Sequence, residues 1–505
     1  MKLKSIFYPA VGLLMTASLL SCSKEFIELD PLGQPLVDNY YSNEDEAFSG
    51  LVAAYDIMGK QSKTFENMIT MMNAGSDDFF AGGGGPSDGT GIQSFSNYTI
   101  DPATIPGSFW NDYFQGVFRT NILLQKLPEV PMDDALRARF TAETKALRAY
   151  YYFELVRLFR NVPLFTEPIL TSEIYTVEQA TPEAVYAQIE TDLTEALPDL
   201  PVRITNLDTE AGRLTQGSAQ ALLGKVYLYE GKNQQAAQQF AEVNGTPGGT
   251  SKYGYKLIDN FADLFSLTNE FNSESIIELA ATSLANVTYD NWGGGQNEGN
   301  TVNQMVGPRG YSIPEDSSAP DYAGGWSFNP VTQELYNVLK GDPRFDATIA
   351  DVKALAASGE ANWNGDGYKQ TGYFLKKFMP LKSDQSKGGG SVELNYKQNV
   401  YIIRLADTYL MEAEALGASG ARAQALLDAV RARVGLAPVP VSMDNIMLER
   451  RRELAGEGHR WFDLVRTGRA ATALADRGFT AGKNEIFPIP LNELENTLIV
   501  QNPNY

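Results

Sequence analysis

The chain has 505 residues, 43% hydrophobic and 20% charged, which is the make-up of a folded globular protein rather than a disordered one. Its 41 basic and 62 acidic residues give a formal charge of −21, a field that repels phosphate backbones and anionic lipid head groups. Nucleic acid is therefore excluded as a natural partner, and attachment to a membrane would need something other than surface charge.

The N-terminus offers such an attachment. Lys2 and Lys4 precede a short apolar stretch, 6–20, which ends in Leu19-Leu20-Ser21-Cys22. A charged start, a brief apolar segment and a small residue before the cut describe a secretory leader, 1–21. Leu-x-Ser-Cys resembles a bacterial lipobox, so Cys22 is expected to be acylated and to become the mature N-terminus. Several acyl chains on one residue give stable anchoring, at about 0.8 kcal/mol per buried methylene. Cys22 is the only cysteine, which excludes an internal disulfide and any Cys-rich metal site. Segment 22–41 mixes charges and prolines without a period and reads as a tether.

Helical spacing then dominates. Segments 43–60, 110–127, 135–159 and 182–197 carry apolar residues three and four apart. The third must stop before Pro163, because the residue before a proline is pushed towards extended geometry. In 214–247, Thr215 is placed to cap a first helix containing Leu223, Gly224 and Tyr227, with Gly231 after its end. Asn233 starts a second helix bearing Ala236 and Phe240, ended by Asn244-Gly245 and Pro247. Leu-Gly-x-x-Tyr, Ala-x-x-x-Phe and Pro in this order form the tetratricopeptide pattern of paired antiparallel helices. A looser second copy runs from Leu405 and Tyr409 through Ala418 to Leu427. The expected fold is mainly α, a scaffold of such pairs interrupted by long loops.

Three of those loops are glycine-rich: 81–92, 285–329 with Gly293-Gly294-Gly295, and 382–395 with Gly388-Gly389-Gly390. Loops this long inside a compact protein are usually functional or disordered, and aromatics set in them favour function. Sugar rings present an apolar C–H face and a rim of hydroxyls, which suits a flat aromatic ring beside amides and acids. Trp292, flanked by Asp290, Asn291, Gln296 and Asn297, supplies both kinds of group. Trp326, Tyr289 and Tyr311 are the next candidates, with Phe79 and Phe80 behind them, whereas Trp110 and Trp461 are assigned to the core.

The C-terminal region carries 448–455 (LERRRELA), then 457–466 (EGHRWFDLVR), then Phe487-Pro488-Ile489-Pro490 and a final Asn502-Pro503-Asn504-Tyr505. These segments resemble the signature of the SusD/RagB family of Bacteroidetes outer-membrane lipoproteins. Further matches follow the family's order: 147–153 (LRAYYYF), Val162-Pro163-Leu164, Gly212-Arg213-Leu214-Thr215, Gly341-Asp342-Pro343-Arg344 and Arg404-Leu405-Ala406-Asp407. Two departures stand out. Arg160-Asn161 replaces the usual Gly-Asp before Val-Pro, and Gly456 stands where an aromatic is common.

The resemblance implies four tetratricopeptide-like helix pairs, within an N-terminal region 42–270 and a C-terminal region 271–505 of one integrated unit. It also implies a hinged lid on a SusC-type TonB-dependent transporter, capturing an oligosaccharide or, in some relatives, a peptide. Ser23-Lys24-Glu25 is similar to the charged signal that sends such lipoproteins to the outer face of the outer membrane.

No cofactor is expected and catalysis has little to stand on. His459 is the only histidine, so no multi-histidine metal site can form, and it falls inside the scaffold signature. Asp77-Asp78 is the first carboxylate pair to inspect for a glycosidase, which needs two acids about 5–9.5 Å apart across a cleft. Asn362-x-Asn364-x-Asp366-Gly367 resembles half a calcium loop, but Tyr373 occupies the twelfth position, where a bidentate acid is required. An ordinary polar turn is the expectation there. The run Arg450-Arg451-Arg452 reads as a solvated or interface face, with Glu449 and Glu453 as intrahelical partners. A surface glycoside hydrolase and a peptide-binding adaptor remain the alternative readings.

Overall fold

A computed structural model describes residues 40–170, 172–292 and 297–505. The leader, Cys22, residues 23–39 of the tether, the Gly293-Gly294-Gly295 run and Gln296 lie outside the described residues.

Helix α1 (Glu44–Asp56) starts where the Asn43 side chain accepts the Glu46 N–H, and α2 (Met68–Gly75) where Asn67 accepts the Thr70 N–H. Residues 57–61, expected to continue the first helix, tighten into a 3-10 turn. Then come α3 (Ser108–Lys126), α4 (Asp134–Phe159) and α5 (Pro182–Ala196), the last opened by Thr181 as cap and a proline at its first position. Between α4 and α5, β1 (Val162–Pro163) pairs antiparallel with β2 (Gln179–Ala180). Arg160, which ends α4, has φ +66°, a conformation open to glycine and strained for most other residues. That is the backbone reason for the glycine the resembled family keeps at this position.

The tetratricopeptide-like unit forms as its sequence prescribes, as α6 (Gln216–Tyr229) and α7 (Asn233–Asn244). The Thr215 hydroxyl accepts the Ser218 N–H, and Gly231 turns the chain at φ +74°. At Gly224 the two helices come so close that a Cβ would lie 2.8 Å from the Phe240 ring. Helix α8 (Thr301–Val306) belongs to the loop region, and α9 (Leu405–Ala415) and α10 (Gly420–Arg433) form the second pair. Packing runs from neighbour to neighbour: α3 on α4, α4 on α5, α6 on α7, α7 on α9, α9 on α10. Strand β3 (Ser275–Leu279) pairs antiparallel with β6 (Val400–Arg404), and β4 (Ile349–Asp351) with β5 (Tyr373–Leu375).

One large core takes side chains from both ends of the chain, including Trp110, Tyr151, Leu222, Tyr409 and Trp461. Trp110 and Trp461 are buried in it, as expected. A smaller core around Phe79, Leu335 and Phe374 lies under the loops. Gly456 is held there at φ +80°, where a Cβ would fall 2.3 Å from Leu375, so the departure from an aromatic fits the local packing.

The arginine run overturns its expectation. In α11 (Met443–Glu453) the glutamates do not pair along their own helix. Glu449 binds Arg344 (2.5 Å) and Arg431 (2.8 Å), while Glu453 binds Arg344 (3.1 Å), Arg404 (2.6 Å) and Arg433. Arg404 also reaches Glu274 (2.9 Å) and Glu457 (2.8 Å), and Arg450 reaches Asp407 (2.6 Å) and Asp463 (2.8 Å). Arg344, Arg404, Arg450 and their acidic partners are buried, so this is an ionic girdle tying β6, α9, α10 and α11 together. The cause is tertiary: α11 packs against α9 and α10, which removes its charges from water and leaves them only each other.

Candidate functional site: an aromatic shelf on the loop face

Three loops bring five aromatic rings together. Phe65 lies just before α2, where the Asn67 amide donates to the Thr64 (2.9 Å) and Phe65 (3.3 Å) carbonyls and fixes the turn. Segment 326–328 is sewn to α8: the Trp326 N–H donates to the Gln304 carbonyl (2.9 Å) and the Phe328 N–H to that of Met305 (2.7 Å). Ser327 and Asn329 sit at φ +61° and +50°, positive values that non-glycine residues adopt only when the surroundings over-determine them. Trp292 follows a turn in which the Asn291 side chain accepts the Thr288 N–H at 2.7 Å. That loop is clamped at Val287, whose N–H and carbonyl both bond to the Asn395 amide (3.0 and 2.8 Å). A Cβ at Gly390 would come within 2.6 Å of this backbone, so the third glycine run is what lets loop 382–395 approach.

The ring centroids of Trp292 and Trp326 are 5.9 Å apart with planes inclined at 53°. Phe65 touches both, at 6.2 and 6.0 Å, and stands on the buried Phe328 at 5.4 Å. Tyr289, 52% exposed, meets Trp292 edge-on at 6.1 Å. Both tryptophans and Phe65 are half-buried. Arg309 stands beside them, donating from Nε to the Trp326 carbonyl (3.0 Å) and from Nη2 to Asp88 (3.4 Å). Asp290 is exposed next to Tyr289. Flat apolar faces bordered by a guanidinium, carboxylates and amides can stack a ring and hydrogen-bond its rim.

The structure thus brings together Trp292, Trp326, Tyr289, Asp290 and Asn291. It does not place the other candidates there. Phe79 is 0% exposed and belongs to the smaller core, and Tyr311 is buried with its hydroxyl donating to the Pro320 carbonyl at 2.7 Å. Both are loop anchors rather than platforms, because their faces are already packed. Phe80 is half-buried between the Arg477 guanidinium (4.8 Å) and the Lys369 ammonium (5.6 Å), and among the described residues no ring contact joins it to the shelf. Phe65 was not singled out from the sequence. It is one aromatic in a short connection between helices, and no local signal marks it.

The residues singled out for chemistry have structural partners. Asp77 is clamped by Arg460 at 2.8 Å through both oxygens, and Asp78 by Arg451 at 2.6 Å. Burial alone would push the Asp77 carboxyl up, but Arg460 and Arg451 outweigh it and hold it below the usual range. For Asp78 burial wins, and its carboxyl is raised. These acids tie α2 to the C-terminal signature rather than facing a cleft. His459 lies in the ionic girdle, where burial, against the pull of Asp407, holds its pKa down to about 4. Asn362 exchanges backbone hydrogen bonds with Ser312 (2.8 and 3.1 Å), an isolated antiparallel bridge rather than the polar turn expected there. Among the described residues no group of three or more His, Cys, Asp or Glu side chains could hold a metal ion.

Comparison with known proteins gives the architecture its place. A family profile described as "SusD family" matches residues 273–505, and one described as "Starch-binding associating with outer membrane" matches residues 48–228. A solved structure titled "Laminarin binding SusD-like protein" is 62% identical, with a TM-score of 0.90 over 92% of this chain and 100% of that one. This chain belongs to the SusD family.

Other SusD-like relatives agree at greater distance. Surface glycan-binding protein A from Bacteroides thetaiotaomicron, solved with laminarihexaose, is 27% identical, with a TM-score of 0.79 over 91% of this chain and 99% of that one. SusD-like protein P25 of Formosa agariphila is 25% identical over 98% of this chain and 97% of its own length. The family description associates such proteins with the outer membrane. Among the described residues no helix is long and apolar enough to cross a membrane.

Proposed function

We propose that this SusD-family protein captures a neutral β-glucan of the laminarin type on the Trp292–Trp326 shelf and performs no covalent chemistry on it. The observation that carries the reading is the pair of half-buried tryptophans, 5.9 Å apart and mutually inclined, which suits consecutive pyranose rings of a twisted chain. A formal charge of −21 adds a selection by sign, because uronate-rich or sulfated polysaccharides would be repelled where a neutral glucan is not. The name of the 62%-identical relative supports the choice of ligand. Asp77 and Asp78, bound to arginines, give the hydrolase reading no acid–base pair.

The remaining parts of the proposal come from the sequence. Cys22 carries the acyl chains that hold the protein at the outer face of the outer membrane, and the folded body acts as a lid on a SusC-type transporter. Weak capture then suffices, since closure encloses the ligand. Incorporation of labelled palmitate in cells, lost in Cys22→Ala, tests the anchor; co-purification with a TonB-dependent transporter from membranes tests the partnership.

The binding test uses the soluble 23–505 fragment with laminarin, laminarihexaose, starch and alginate in calorimetry. Binding confined to the laminarin pair and abolished in Trp292→Ala is expected. Equal binding by that variant, or release of shorter products, would overturn the reading.

A further inference from the structure

The helix that docks Trp326 through Gln304 also serves a different cavity. Asn303, the preceding residue of α8, lines a space of about 450 Å3 that none of the shelf rings enters. Asn303 is 1% exposed. Its amide nitrogen donates to the Phe378 carbonyl (2.7 Å) and to Gln398 Oε1 (2.5 Å), and since both partners are acceptors the amide orientation is fixed. The Oδ1 atom is then a buried acceptor with no partner among the described residues. Leaving such an atom unsatisfied costs about 1–3 kcal/mol, so buried acceptors are normally matched by something.

The rest of the lining has a definite character. Phe261 and Phe265, 5.7 Å apart, form an apolar wall, while Asp346 and Asp384 bring acceptors and Lys376, Lys377 and Lys397 donors to the same space. An aromatic wall, an orphaned acceptor and charges of both signs suit a small polyhydroxylated molecule better than a purely apolar one. We propose that this cavity is a second ligand site, which takes one or two residues of a neutral sugar with Asn303 Oδ1 accepting a ligand hydroxyl. Only the choice of ligand class rests on the glucan reading; the site is independent of the shelf.

The test uses the Trp292→Ala/Trp326→Ala protein, in which the shelf is removed, with laminaribiose and glucose as probes in saturation-transfer NMR. Transfer to the disaccharide is expected to persist in that protein and to fall at least about five-fold when Phe265→Ala or Asn303→Ala is added, with folding checked by thermal melting. Phe265 is half-buried at the wall, so its removal spares the hydrogen bonds that Asn303 makes. No transfer in the shelf-less protein would overturn the inference and assign the Asn303 acceptor to water. Transfer unaffected by both cavity substitutions would overturn it too, by placing the sugar elsewhere. Failure of the intact protein to bind laminarihexaose would sink the shelf reading and leave this one standing.

Discussion

The ionic girdle and the aromatic shelf reverse the usual placement of side chains. In the girdle, Arg344, Arg404 and Arg450 are buried with Glu453, Glu457, Asp407 and Asp463, where charge is expensive unless every partner is present. On the shelf, Tyr289 is exposed and Trp292 and Trp326 are only half-buried, although aromatic rings are the side chains that gain most from burial. The girdle joins elements far apart in the chain, from Glu274 to Asp463, through mutually dependent contacts. The shelf stands on loops held by backbone hydrogen bonds and close-packed glycines.

Breaking the girdle should have the largest effect on stability. Arg404→Ala leaves Glu274, Glu453 and Glu457 without their shared cation, and a loss of about 3–5 kcal/mol in urea unfolding is expected. Breaking the shelf should do the opposite. Trp292→Ala/Trp326→Ala should weaken laminarihexaose at least about 100-fold, roughly 2.7 kcal/mol, while the unfolding midpoint moves little. Should the midpoint fall as far as in Arg404→Ala, the two regions are not separate.

Acid sharpens the comparison. The His459 pKa lies at about 4 in the fold against an ordinary 6.5, so the unfolded chain takes up the proton first. Its contribution is whole above pH 6.5 and is lost as pH falls towards 4. Burial pushes the Glu457 carboxyl up, but Arg404 and Lys377 outweigh it and hold its pKa at about 2; Asp407 is held equally low, chiefly by Arg450. Their contributions are present above the ordinary 4.5 and 3.8 and vanish as pH falls through that range towards 2. Urea midpoints from pH 8 to 3 should therefore fall in two stages, and His459→Gln should remove the upper one. Laminarihexaose affinity should stay flat over the upper stage, since no shelf ring titrates there. The smallest effect is expected at Gly224→Ala, where the new methyl meets the Phe240 ring and costs about 1–3 kcal/mol without touching the ligand.

Much of the helical scaffold is legible in the sequence because its signals are local. Thr215, Gly224, Gly231 and Phe240 act within one helix pair, and each takes the part its type and spacing prescribe. The aromatic candidates were only partly legible. Composition says that Trp292 and Tyr311 both sit in polar loops, but only packing decides that one ring stays half-buried and the other seals the smaller core. Phe65 joins the shelf from a distant connection that has no distinguishing neighbours.

By itself the sequence determined the helix pairs, the family and the excess of negative charge, since each is written in short-range order or in totals. The tertiary structure alone decided which charges meet and which rings are sealed in a core. Glu453 has arginines of its own helix beside it, yet binds Arg344, Arg404 and Arg433 from elsewhere, because burial admits only partners that arrive in the same dry space.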